Sequence, residues 1–173
     1  MAGRMPSNLI IRRTLAYLVD IAFLFGILAP AGFLIQSIVG SQPATGPEVS
    51  LRIAWNMSLP TWLYFILSDS SAGGASLGKR LLGVRSSACS GKAIAPLRAL
   101  LRNAVKLLPW ELAHIAGFGL STDLSQFGWV QSLGIGLANA LWIGYFLVAV
   151  ANKGRRSVHD LIASTEVGRN LAV

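Results

Sequence analysis

Four apolar stretches, residues 14–39, 53–72, 101–120 and 133–151, each approach the roughly 20 residues needed to cross about 30 Å of hydrocarbon. They predict an all-α integral membrane protein, a four-helix transmembrane bundle with amphipathic segments at its cytoplasmic face. Composition agrees: 53% of the 173 residues are hydrophobic and only 13% charged, too few to clothe a soluble domain of this size. The net charge of +8 does not indicate nucleic-acid binding, because no basic stretch carries interleaved aromatics for base stacking.

The charges report topology instead. With four spans, 14 of the 15 Lys and Arg residues fall on the side shared by the two chain ends, and only Arg52 falls opposite. The positive-inside rule then puts both ends in the cytoplasm of a bacterial inner membrane, with outer loops at 40–52 and 121–131. A cytoplasmic loop at 73–96 and a tail at 152–173 complete a single domain. Residues 12–39 read as a retained first helix rather than a leader, since Asp20 interrupts the apolar run and that run continues past residue 31.

The third stretch is ambiguous. From Pro96, the residues Leu97, Leu100, Leu101, Ala104, Val105 and Leu108 keep helical spacing, while Arg98, Arg102 and Lys106 form a stripe on the other face. That pattern suits a basic helix lying in the interface, either bending inward at Pro109 or continuing as one span with snorkelling cations. Crossing is favoured, because otherwise Lys153, Arg155 and Arg156 would be exported. Trp110 and Trp129 suit the two interfaces.

Within the third stretch, Glu111 and His114 form a single Glu-x-x-His, and Asn139 lies in the fourth. A di-metal site would need a second such pair, so no metal and no cofactor is expected. Hydrogen-bonded packing between spans is the favoured role, and a proton relay through the three is the alternative. Cys89, the only cysteine, excludes a disulfide within the chain. Gly78-Lys79 lacks the upstream glycine of a phosphate loop, and no nucleophile–base arrangement is legible, so no enzyme activity is expected.

An ionised group at the centre of a span costs roughly 2.5–3.5 kcal/mol, so Asp20 needs a reason to exist. Taken in order, "RRTLAYLVD", "SLGKRLLGVR", "LRALLRN" and "SVHDLIASTEV" resemble the RDD family of small membrane proteins. The resemblance implies that Arg13, Asp20 and Asp160 are the name-giving arginine and two aspartates. It also implies a part in transport of ligands not generally defined, including sodium/proton exchange in some members. The lead into the glycine-lysine motif departs from the family pattern, reading Ala75-Ser76 here.

Arg13 and Asp20 are seven residues apart, on one helix face and about 10 Å apart along the axis. Asp20 leans towards the cytoplasmic end, while Arg13 reaches more naturally for headgroups. The expectation is that a cation from another segment satisfies Asp20, with Lys79, Arg80 and Arg102 as choices. Gly78 and Gly83 would let that backbone approach closely. His159 and Asp160 are expected to face the bundle, with Asp160 paired to Arg13 or a loop arginine.

Two functions fit these features. One is a transport-associated protein, responsive to a cation, a proton or a small ligand and acting as an oligomer. The other is a non-catalytic accessory subunit of a larger membrane complex, docked through the small residues Gly136, Ala140 and Gly144. Anionic lipid headgroups are expected partners of the basic face; nucleic acid is not.

Overall fold

A computed structural model describes residues 7–40, 43, 45–120 and 127–170. Helix α1 (Ser7–Val39) is a single 33-residue rod that runs through Pro30 without a break. A second rod starts as α2 (Gly46–Ile53), passes through a π-helical turn (Ala54–Ser58) and continues as α3 (Leu59–Ser70). It therefore begins inside what the sequence suggested was an outer loop. A short helix α4 (Leu77–Leu81) and strand β1 (Val84–Ala88) follow.

The third rod, α5 (Pro96–His114), ends in a second π-helical turn (Ile115–Gly119) and stays helical through Pro109, so there is no interfacial helix with a separate bend. The fourth is α6 (Trp129–Ala151). Helix α7 (Val158–Ile162) and strand β2 (Thr165–Arg169) close the chain. Of the expected outer loop at 121–131, residues 121–126 lie outside the described residues, as does Arg4.

Two of the rods, α1 and α6, are by themselves long and apolar enough to cross a membrane. Large apolar side chains such as Phe33, Ile38, Leu97 and Leu133 point outward, whereas Asp20, Asp69, Arg102, Asn103 and Asp160 are buried. This polarity is the reverse of a soluble bundle and suits a lipid solvent, where charged groups must be satisfied inside the protein.

Helix α5 shows the reversal most clearly. Leu97 is 78% exposed and Arg102 only 1%, so the basic stripe runs from exposed Arg98 into the core at Arg102 and half-buried Lys106, while Leu97, Leu100, Leu101 and Leu108 face out. The interfacial reading is thereby corrected for Arg102 and Lys106: the spacing was right, but Arg102 turns inward to carboxylates and Lys106 to aromatic rings. Trp110, expected at an interface, packs edge-on against Phe25 of α1 at 5.5 Å between ring centroids.

The all-α expectation also needs correction. Strands β1 and β2 pair antiparallel, from Val84 opposite Arg169 to Ala88 opposite Thr165, and bury Val84 and Val167 against Ala16 and Leu9 of α1. The pairing ties the loop after α3 to the tail after α6. It thereby gathers α4, α7, both strands, the start of α1, the start of α5 and the end of α6 at one end of the bundle. The described chain ends lie together there, with Asn170 N–H donating to the Gly83 carbonyl at 2.9 Å.

Candidate functional site

That end of the bundle holds an alternating chain of buried charges. Asp69, in the last turn of α3, accepts from Lys79 Nζ at 2.5 Å, from Arg102 Nη1, and from Asn103 Nδ2 at 3.1 Å. Arg102 continues to Asp160, donating from Nε at 3.0 Å. Asp160 also receives Arg13 Nη2 at 2.5 Å, Thr165 Oγ1 at 3.1 Å and the Ser157 N–H at 2.9 Å. The last bond arises because Asp160 is the third residue of α7 and reaches back to its N-cap.

The charges follow from this geometry. Burial alone would push the Asp160 carboxyl up, but Arg102 and Arg13 outweigh it and hold the group well below the usual carboxylate range. Burial draws the Lys79 ammonium below its ordinary value, with Asp69 opposing that trend. His159, 7% exposed, is likewise pushed well below the ordinary imidazole value by burial. Its Nε2 lies 2.8 Å from Arg13 Nη2, which can only donate, so Nε2 accepts and the ring proton sits on Nδ1. Nδ1 is buried and has no partner.

Asp20 stands apart from this chain. It accepts from Tyr64 Oη at 2.7 Å, Ser76 Oγ at 2.5 Å and the Gly78 N–H at 2.7 Å. The expectation of a cationic partner is therefore wrong: Lys79 and Arg102 are committed to Asp69 and Asp160, Arg80 is exposed and donates to the Ala75 carbonyl, and Arg13 turns to Asp160. The start of α4 substitutes for a counter-ion, because its first N–H groups have no intrahelical acceptor: that of Gly78 donates to the carboxylate and that of Leu77 to Tyr64 Oη, whose hydroxyl donates to Asp20 in turn.

Gly78 permits the approach. A Cβ there would lie 2.1 Å from the Ala16 carbonyl oxygen of α1. Gly83 serves differently: its φ of +64° ends α4, and a Cβ there would meet only Arg12 Nη1 at 3.5 Å.

The intramembrane polar residues do not form a relay. Glu111 accepts from Ser58 Oγ at 3.0 Å and Trp62 Nε1 at 2.9 Å, joining the second and third rods. His114 Nδ1 pairs with the Trp110 carbonyl one turn earlier, and Asn139 donates to the Ile135 carbonyl of its own helix. Among the described residues, no group of three His, Cys, Asp or Glu side chains is placed to hold a metal ion.

A cavity of about 120 Å³, open on one side, adjoins the buried charges. Ile10, Thr14 and Tyr17 of α1 form one wall and Trp142, Tyr145, Phe146 and Ala149 of α6 the other; Arg13, Asp20, Lys79, Arg102, Lys106 and His159 border its inner part. Asp160 stands directly behind, holding Arg13. Sequence reasoning did not single out Asp69, Tyr64, Ser76 and Asn103 as site residues; Ser76 and Asn103 lie within the motifs "SLGKRLLGVR" and "LRALLRN", and the hint for Asp69 was an aspartate at the end of an apolar run.

The family model of the RDD family matches residues 8–164. Comparison with curated proteins and with solved structures finds no match.

Proposed function

Because the chain belongs to the RDD family, we propose that it is a multi-pass, transport-associated protein of a bacterial cytoplasmic membrane, binding a small ligand in the cavity between α1 and α6. In this reading it makes four spans, has both ends in the cytoplasm and acts as an oligomer. One observation carries the proposal: Arg13 and Asp20 border one cavity, and Asp160 fixes Arg13 from behind. The outward apolar surface and the burial of the charges support the membrane setting.

The cavity, rather than Asp20 alone, is the site. Three donors direct hydrogens at the Asp20 carboxylate, so a sodium ion would have to displace them. Flux of sodium, protons and small organic anions through proteoliposomes tests the reading. Flux above empty liposomes that Thr14→Trp abolishes, by filling the cavity, supports it. Rates equal to empty liposomes for every solute defeat it.

A second reading, a non-catalytic accessory subunit, is favoured by the outer face of α6. A Cβ at Gly136 or Gly144 would meet nothing within 4 Å, so this ridge does not serve the internal packing and can receive a neighbouring helix. Site-directed cross-linking from position 140 in native membranes separates self-association from capture by another subunit.

A further inference from the structure

The cavity and the charges around it do not balance. Four cations, Arg13, Lys79, Arg102 and Lys106, face three carboxylates, Asp20, Asp69 and Asp160. Among the described residues, Lys106 is the member of this set that no carboxylate pairs. Its Nζ lies 3.2 Å from the centroid of the Phe65 ring and 5.0 Å from that of Tyr17, and no carboxylate of the described residues lies within salt-bridge distance. Aromatic faces attract an ammonium but supply no negative charge.

A second donor borders the same cavity. The Nδ1–H of His159 is buried and has no acceptor among the described residues, an arrangement rare in folded proteins unless something else supplies one. One cation without a counter-ion and one N–H without an acceptor together describe a site for a single negative charge.

The outer part of the cavity is apolar. Ile10, Trp142 and Phe146 line it, and α1 and α6 barely touch each other, which leaves the cavity between two helices that expose apolar side chains. Trp142 lies nine residues before the end of α6, about 14 Å along the helix. With α6 crossing the bilayer, as proposed, Trp142 stands at acyl-chain depth, within the roughly 30 Å of hydrocarbon.

Taking the cavity as the ligand site, as proposed above, we infer that it receives an anionic phospholipid of the inner leaflet sideways between α1 and α6, its phosphodiester at Lys106 and His159 and its chain along Trp142 and Phe146.

The test is native mass spectrometry of the full chain released from nanodiscs containing equal amounts of phosphatidylglycerol and phosphatidylcholine with identical acyl chains. One retained phosphatidylglycerol per chain, preferred about tenfold, is expected. Lys106→Met should abolish the preference and Lys106→Arg should keep it. Equal retention of both lipids by the unaltered chain overturns the inference, and that comparison needs no variant to fold. Displacement of the lipid by equimolar inorganic phosphate or glycerophosphoglycerol also overturns it, because the site would then recognise a free anion. Solute flux that persists without lipid preference would leave the cavity as a transport site and remove only its lipid. Lipid retention without any flux would remove transport.

Discussion

Asp69 and Asp160 are bound by the same guanidinium: Arg102 donates from Nη1 to the first and from Nε, at 3.0 Å, to the second. Arg102 thus joins α3 to α7 from its place on α5. Lys79 and Arg13 close the two ends of the row, at 2.5 Å each. Every member neutralises its neighbours, so removing one leaves the next exposed to a medium that cannot solvate it.

Asp69 should therefore be among the most sensitive residues of the cluster. Asp69→Ala strips Lys79, Arg102 and Asn103 of a shared acceptor, and a loss of about 3–5 kcal/mol is expected. Thermal unfolding in detergent measures it. A shift no larger than that of a surface substitution such as Arg98→Ala would show that the ion pairs are not integral to the fold.

Gly78→Ala should disturb the protein out of proportion to one methyl group. The added carbon would meet a backbone oxygen of α1, which cannot turn aside, so α4 must retreat and withdraw its N–H from Asp20. Overpacking typically costs about 1–3 kcal/mol, and the lost hydrogen bond adds to that. Gly136→Ala, facing open space, is the control and should be near neutral.

Acidification should weaken the fold in two stages. His159 is held neutral in the folded protein, below its ordinary value, so the unfolded chain takes up the proton first. Stability is then intact above pH about 6.5 and falls as pH drops below it. Asp160, whose folded value is also depressed, adds a further loss only below pH about 4. Melting temperatures from pH 8 to 5 in unaltered protein and His159→Gln should diverge progressively below 6.5, and parallel curves would refute the neutral, buried imidazole.

Cys89 offers a topology measurement that needs no engineering. It is exposed and sits beyond β1, beside the paired strands. A membrane-impermeant maleimide should label it in inverted vesicles and leave it untouched in intact spheroplasts. Labelling of intact cells would reverse the proposed orientation.

The rods were legible in the sequence because a long apolar run has few alternatives to a helix. Helix α5 shows where legibility stops. Its spacing assigns Arg98, Arg102 and Lys106 to one face, but periodicity is indifferent to whether that face meets headgroups or the interior, and only the carboxylates of other segments decide. Asp69 was unreadable for the same reason, since its partners lie 10 and 33 residues away. Gly78 was readable because a lone glycine beside a basic pair signals close backbone approach, whereas Asp20 misled because an N–H dipole can replace a full charge. The sequence around Ser90-Gly91-Lys92 reads as a strand-like turn, but the pairing of β1 with β2 was not legible, because each five-residue strand owes its existence to the other, across most of the chain.

The pairing of β1 with β2 also sets an order of events during synthesis. Arg13 and Arg102 leave the ribosome long before Asp160, and β1 long before its partner, so the cluster stays incomplete until the tail is made. A chain truncated ahead of α7 keeps all four long helices yet leaves Arg13 without its carboxylate and Arg102 with Asp69 alone. Synthesis of α7 and β2 thereby becomes a condition for closing the end of the bundle that holds the buried charges.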